Sequence, residues 1–207
     1  MIRILCADIS LADEHVYRRL YEKASTDRKR RADRYLRRED KLRCVTADAL
    51  LKAALGTEDY HVGKTEGGKP CIKDREGFHF NLSHSGRYVV IAYGDTEVGV
   101  DVQQYGVVID MEGIAERWFS PDEQEYVREN SLEVTQRFYE IWTCKESYLK
   151  YIGTGLRRDT KSFSVLAPEP GIRYFYCMPG DGYSLSLCTT DSECTFEMLD
   201  VQLLQQY

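Results

Sequence analysis

The segment Trp142 to Lys150, which reads Trp-Thr-Cys-Lys-Glu-Ser-Tyr-Leu-Lys, places an acid and two lysines along a helix whose neighbouring positions call for burial. Helical residues three and four apart lie one above another, so Phe138, Ile141, Trp142, Leu149 and Ile152 form one apolar stripe. Lys145 falls within that stripe and Glu146 at its border, where a core-facing helix carries aliphatic side chains. Buried charge without a partner is costly. The fold must therefore bring a cation to Glu146 and an anion to Lys145 and Lys150, or leave this face open to a cleft that holds such a ligand. A phosphorylated substrate with a divalent metal meets all three needs. The alternative is a solvated Glu146–Lys150 pair at i, i+4, worth roughly a few tenths of a kcal/mol.

Charge elsewhere is placed rather than spread. The net charge of −6 hides a basic stretch, residues 28–43, with nine Lys or Arg against three acids. A nucleic-acid reading of that stretch is opposed by the acidity of the rest of the chain and by the lack of a finger, helix-turn-helix or RNP signature. A compact polyphosphate or an acidic protein partner matches better, and a solvated basic helix face accounts for several of the nine cations in any case. At 207 residues, 43% hydrophobic and 30% charged, the chain is long enough for a proper core. No apolar run approaches the ~20 residues of a membrane span, and the start lacks a charged region followed by a long apolar one. The expected location is cytoplasmic, without membrane or nucleic-acid partners. Seven cysteines with no CxxC pair argue against a disulfide framework and a structural zinc site.

Along the chain, Ile2 to Ile9 reads as a strand, followed by a helix capped by Ser10. Residues 28–55 read as two helices or one bent one ending at Gly56. The glycine-rich loop Gly63 to Pro70 leads into strands at Phe78 to Ser83, Tyr88 to Tyr93 and Val98 to Val102. Ser120-Pro121-Asp-Glu123 is a helix start with cap, proline and capping-box acid. The long helix from about Glu133 to Ile152 stops at Gly153-Thr-Gly155. Strand-like segments follow at Ser162 to Leu166, Arg173 to Cys177, Tyr183 to Cys188 and Thr195 to Leu203. Helices and then strands occur twice, which predicts an α+β fold. Two similar α/β lobes, related by a pseudo-twofold, each pack a small, mostly antiparallel sheet on a long helix. The lobes divide at 1–100 and 101–207, with the active site at their interface.

On the strand Val98 to Gln103, Asp101 and Gln103 share one side. Asp101 and Glu146 supply two carboxylates, and Gln103 a neutral carbonyl, for a hard cation such as magnesium; the bland reading is a strand that ends in Asp before a loop. Asn81-Leu-Ser83-His84-Ser85-Gly86 reads as a strand turning, with groups able to bond phosphate oxygens, although a turn histidine is more often just satisfied by neighbours. Lys69, before Pro70, is either a turn residue or a phosphate-binding cation. The loop does not match the P-loop pattern.

In this order, Gly68-Lys69-Pro70, Phe80-Asn-Leu-Ser-His-Ser-Gly86, Gly99-Val-Asp101 and Trp142-Thr-Cys-Lys-Glu-Ser-Tyr-Leu-Lys150 resemble the 4′-phosphopantetheinyl transferases, specifically the monomeric two-lobed type that activates carrier proteins of peptide and polyketide synthetases. The resemblance implies transfer of the phosphopantetheine arm of coenzyme A to a serine of an apo acyl or peptidyl carrier protein, releasing adenosine 3′,5′-bisphosphate. It implies magnesium, with manganese an alternative, at Asp101, Gln103 and Glu146. Glu146, Lys150 and His84 are then the catalytic set, with Glu146 as general base and Lys150 stabilising charge. Arg28, Arg31, Arg43, Lys69, Ser83, His84, Lys145 and Lys150 would line the coenzyme A site, in the N-terminal lobe and across the cleft. Met111 and Ile114 would contact the carrier, with core packing the competing account for their neighbours Trp118 and Phe119. Many members have Glu where this chain has Gln103, which should weaken the metal site without abolishing it. An active enzyme is expected, and a coenzyme A binding protein with weakened catalysis is the alternative.

Overall fold

The alternation of buried side chains along the strands builds four layers, helix, sheet, sheet and helix. The computed structural model describes residues 1–108, 110–155 and 158–207. The first sheet has the order β4-β5-β1-β9, formed by His79–Ser85 (β4), Tyr88–Gly94 (β5), Ile2–Asp8 (β1) and Cys194–Leu199 (β9). The second has the order β6-β8-β7, from Val98–Gln104, Tyr183–Thr189 and Arg173–Cys177. A short hairpin of Val62–Lys64 (β2) and Pro70–Ile72 (β3) carries the glycine-rich loop.

Because side chains of a strand alternate between faces, each sheet divides its residues cleanly. Leu5, Ala7, Val89 and Ile91 pack under the helices Glu14–Lys23 (α1), Thr26–Asp33 (α2) and Arg38–Leu55 (α3). Their neighbours Ile4, Cys6, Val90 and Ala92 meet Val98, Val100, Val102, Leu185 and Leu187 of the second sheet. The other face of the second sheet packs on Val134–Ile152 (α6), with Met111–Trp118 (α4) and Pro121–Arg128 (α5) outside it. The expected α+β architecture, with a sheet on a long helix in each half, is what forms. The division at residue 100 falls inside β6, and β9 crosses back to pair parallel with β1, so the first sheet is completed by the end of the chain.

Most helix boundaries follow their local signals. Gly56 and Gly153 both take φ 68° and stop α3 and α6, a conformation that glycine adopts without Cβ strain. Ser120 and Glu123 form the capping box expected at α5. Two expectations need correction. Ser10 does not cap α1: Asp13 does, accepting the Val16 N–H at 2.8 Å, while Ser10 lies in a 3-10 turn and donates to Asp8. Residues 162–166 form no strand but follow a 3-10 turn at Thr160–Ser162, because side chains from α5 and α6 take up their backbone groups.

β6 and α6 approach closely at Gly99. A Cβ on Gly99 would overlap the Ser147 carbonyl oxygen and the Tyr151 backbone nitrogen, so the strand lies directly against the helix backbone one turn from Glu146. Gly99→Ala is expected to cost roughly 1–3 kcal/mol, the usual penalty of overpacking, read as a lower urea midpoint at unchanged m-value.

Candidate active site

β4 and β6 are edge strands of different sheets, and they meet through side chains in place of a backbone ladder. Asn81 Oδ1 accepts the Val100 N–H at 3.0 Å, Ser83 Oγ the Val102 N–H at 3.2 Å and Ser85 Oγ the Gln104 N–H at 3.0 Å. The constant offset sets one register between the lobes. It brings Ser83 opposite Asp101, to which its hydroxyl donates at 2.8 Å. The Lys150 ammonium then donates to Asp101 Oδ1 at 2.7 Å, to Ser83 Oγ at 3.0 Å and to the Val100 carbonyl at 3.0 Å.

Glu146, one turn before Lys150 on the same helix face, has no comparable partner. Among the described residues its carboxylate makes no hydrogen bond or ion pair within the usual distances. Burial pushes its carboxyl above the ordinary value and the Asp101 charge pushes it further, while Lys150 opposes both. It lines a cavity of about 250 Å³ together with Gly67, Gly68, Lys69, Asn81, Lys150 and Gly153. Gln103, half-buried, lies on the Asp101 side of β6. Two carboxylates that repel each other and a neutral amide fit a magnesium-type donor set, which takes one or two carboxylates and fills its remaining positions with water and phosphate oxygens. No cluster of three His, Cys, Asp or Glu side chains suited to a metal occurs among the described residues.

The remaining expected site residues divide between cleft and scaffold. Arg28 and Arg31 border a groove of about 630 Å³ with Lys64 and Lys73. Arg28 is held there by the buried carboxylate of Asp48, 3.4 Å away, and Arg31 donates to the Tyr35 hydroxyl. Arg43 on α3 is tied to Asp40 and to the Gly86 carbonyl at the β4–β5 turn. His84 lies on β4 and not in a turn; its ring, though accessible, is crowded by protein, which lowers its pKa, and Arg43, Lys150 and Arg31 lower it further. Lys69 reaches the cavity wall, but its ammonium is bound to Glu97 and to the carbonyls of Val98 and Tyr151, so it braces the glycine-rich loop against β6 and α6.

Lys145 is the clear departure. It is not in the cleft: its side chain is 3% exposed and lies 2.8 Å from Glu123, itself fully buried. Burial lowers its pKa, against the pull of Glu123. The anion that the stripe required for Lys145 is thus internal. Met111 and Ile114 are half-buried on α4 against the α6 core, and Phe119 is wholly buried; Met111 also borders a cavity of about 490 Å³ with Val127, Val134 and Phe138. Sequence reasoning passed over Asn81 and Ser85 as seam residues, Glu97 as the partner of Lys69, and Glu123 beyond its capping role. The one available signal was the alternation Asn81-x-Ser83-x-Ser85, three small polar side chains on one face of a strand.

Residues 97–197, which carry β6, α6 and β8, match the family model of the 4′-phosphopantetheinyl transferase superfamily. The chain is 35% identical over 161 residues to the 4′-phosphopantetheinyl transferase ffp of Bacillus subtilis, covering 74% of this chain and 70% of that protein. It is 34% identical over 154 residues to the 4′-phosphopantetheinyl transferase Sfp of Bacillus subtilis strain 168, covering 71% and 68%. Against the 4′-phosphopantetheinyl transferase HetI of Nostoc it is 34% identical over 161 residues, covering 70% and 67%. The chain belongs to the 4′-phosphopantetheinyl transferase family, and its enzymatic class is that of a transferase.

In metal-free buffer, ionised Glu146 works against the fold, because its folded-state pKa is raised and a raised carboxyl pKa makes the charged form destabilising. Glu146→Gln should therefore raise the melting temperature at neutral pH, as read by a thermal melt in chelator. The gain should shrink as pH falls and vanish below the ordinary carboxylate value of about 4.3, where the wild-type side chain is protonated in both states.

Proposed function

We propose that this enzyme moves the 4′-phosphopantetheine group of coenzyme A to a serine hydroxyl of an apo acyl or peptidyl carrier protein, acting as a cytoplasmic monomer with magnesium or manganese. The observation that carries this reading is the Glu146 carboxylate, held in a cavity with a raised pKa and, among the described residues, no ion-pair partner, beside an Asp101–Lys150 pair. The relatives' names supply the group transferred; the donor and the acceptor come from the family resemblance, and the metal from the resemblance together with the donor set of the site.

In the proposed reaction the serine oxygen forms a bond to the phosphorus next to the pantetheine arm. The bond from that phosphorus to the bridging pyrophosphate oxygen breaks, and adenosine 3′,5′-bisphosphate leaves. Glu146, which favours the protonated form more than a solvated carboxylate does, accepts the serine proton directly or through water. Lys150, whose three hydrogens are held by Asp101, Ser83 and the Val100 carbonyl, acts through its positive charge, fixed one turn from Glu146, on the negative charge that develops. Arg28, Arg31, Arg43 and His84 supply donors for the phosphates of the nucleotide end. Asp101, Gln103 and Glu146 are the residues that would hold a divalent cation, which when bound supplies positive charge to the pyrophosphate and to the attacked phosphorus. Met111 and Ile114 remain the proposed carrier contacts.

Incubation of an apo carrier protein with this chain, coenzyme A and magnesium should add one phosphopantetheine mass to the carrier, as read by intact-mass spectrometry. The gain should be lost with Glu146→Ala and with a chelator. Coenzyme A binding without transfer to any acyl or peptidyl carrier would instead favour a binding protein with weakened catalysis, in which Gln103 in place of a third carboxylate leaves the metal site too weak.

A further inference from the structure

Lys145 and Glu146 are adjacent on α6 and so project about 100° apart around the helix. Glu146 turns to the cavity, and Lys145 turns to the opposite flank. There its ammonium meets the Glu123 carboxylate at 2.8 Å, the Thr160 carbonyl at 2.7 Å and the Phe163 carbonyl at 3.0 Å. Three acceptors use all three of its hydrogens. Glu123 is equally committed, with Oε2 accepting the Ser120 N–H and Oε1 the Val165 N–H, both at 2.8 Å.

The segment so gripped, Thr160 to Val165, follows α6 in the chain. The chain leaves α6 at Gly153, follows the cavity wall at Gly153 and Gly155, and is anchored again at Thr160 to Val165 by these two side chains. On its other side α6 is seated on β6 through the close approach at Gly99. Between them, the glycine contact and the lysine–glutamate pair leave the helix one rotation about its axis, and that rotation decides where Glu146 and Lys150 point. A buried ion pair adds little net stability over apolar side chains of the same volume, but it is directional where an apolar contact is not.

We infer that Glu123 and Lys145 are a positioning pair for Glu146 and Lys150, and that Lys145 is not a ligand of the coenzyme A phosphates. The kinetic form of this inference rests on the transferase reading above. Because removing one partner strands a buried charge, the informative variant is the neutral double, Glu123→Gln with Lys145→Met. It should melt cooperatively and bind coenzyme A within about threefold of wild type by calorimetry. Its kcat should fall at least tenfold with KM for coenzyme A little changed, and amide exchange at Val165 should quicken. A tenfold loss of coenzyme A affinity, as a direct phosphate ligand would give, overturns the inference, and so does an unchanged kcat. Should the double variant not fold, Lys145→Arg keeps the charge but not the three-point geometry: unchanged affinity with lowered kcat is expected, and weakened binding or wild-type kcat overturns it. If the wild-type chain itself transfers nothing, the transferase reading is what fails. Amide exchange at Val165 and along α6 in the double variant then still decides whether the pair holds the helix, unchanged protection overturning it.

Discussion

The side-chain seam between β4 and β6 is the contact on which the rest of the molecule depends. Edge strands carry unpaired backbone groups that have to be satisfied or exposed. Here Asn81, Ser83 and Ser85 answer the N–H groups of β6 one for one. A backbone ladder would have merged the two sheets into one. The side-chain version keeps them separate layers while locking their register, and a slip would part Ser83 from both Asp101 and Lys150. Ser83 serves the seam and the site with one oxygen, accepting from Val102 and Lys150 while donating to Asp101.

The electrostatic plan follows from that register. Of the charges along the exposed and buried flanks of α6, Lys150 and Lys145 are both matched inside the protein, by Asp101 and Glu123. Among the described residues Glu146 has no such partner where it lines the cavity, under the combined effect of burial and a like charge. In the proposed reaction, negative charge left unbalanced here would be met by a cation and substrate. Among the described residues the neighbouring lysines are paired and Glu146 is not.

Much of this was legible in the chain. The span of α6, the glycine stops at Gly56 and Gly153, the capping box at Ser120 and the alternation of β1, β5 and β6 are all local, set within a few residues by periodicity and backbone chemistry. The conflict of a lysine and a glutamate on an apolar helix was local too, and it pointed to the right helix. Which partner resolves each charge was not local. Periodicity gives the face on which Lys145 falls but is silent on whether the facing anion is a ligand or Glu123, 22 positions earlier in the chain. It cannot tell a serine that bonds phosphate from one that bonds the next strand. The glycine of Gly99-Val-Asp101 carried its own explanation, close backbone approach, but only the packed helix shows what approaches. The strand expected at 162–166 failed because its backbone groups were claimed by side chains from distant elements.

The parallel pairing of β1 with β9 couples the order of synthesis to the order of folding. Ile2 has Cys194 as its partner, 192 positions later in the chain. While the chain is being made, β1 can be paired with β5 on one side and has an open edge on the other until β9 has been added. Contacts of such sequence separation close slowly, because the entropy of the intervening loop is lost before they reward it. Exposed strand edges in unfinished chains are sites of mispairing. The nascent N-terminal half is thus the stretch of this protein most in need of shielding by chaperones, and it stays so until β9 arrives.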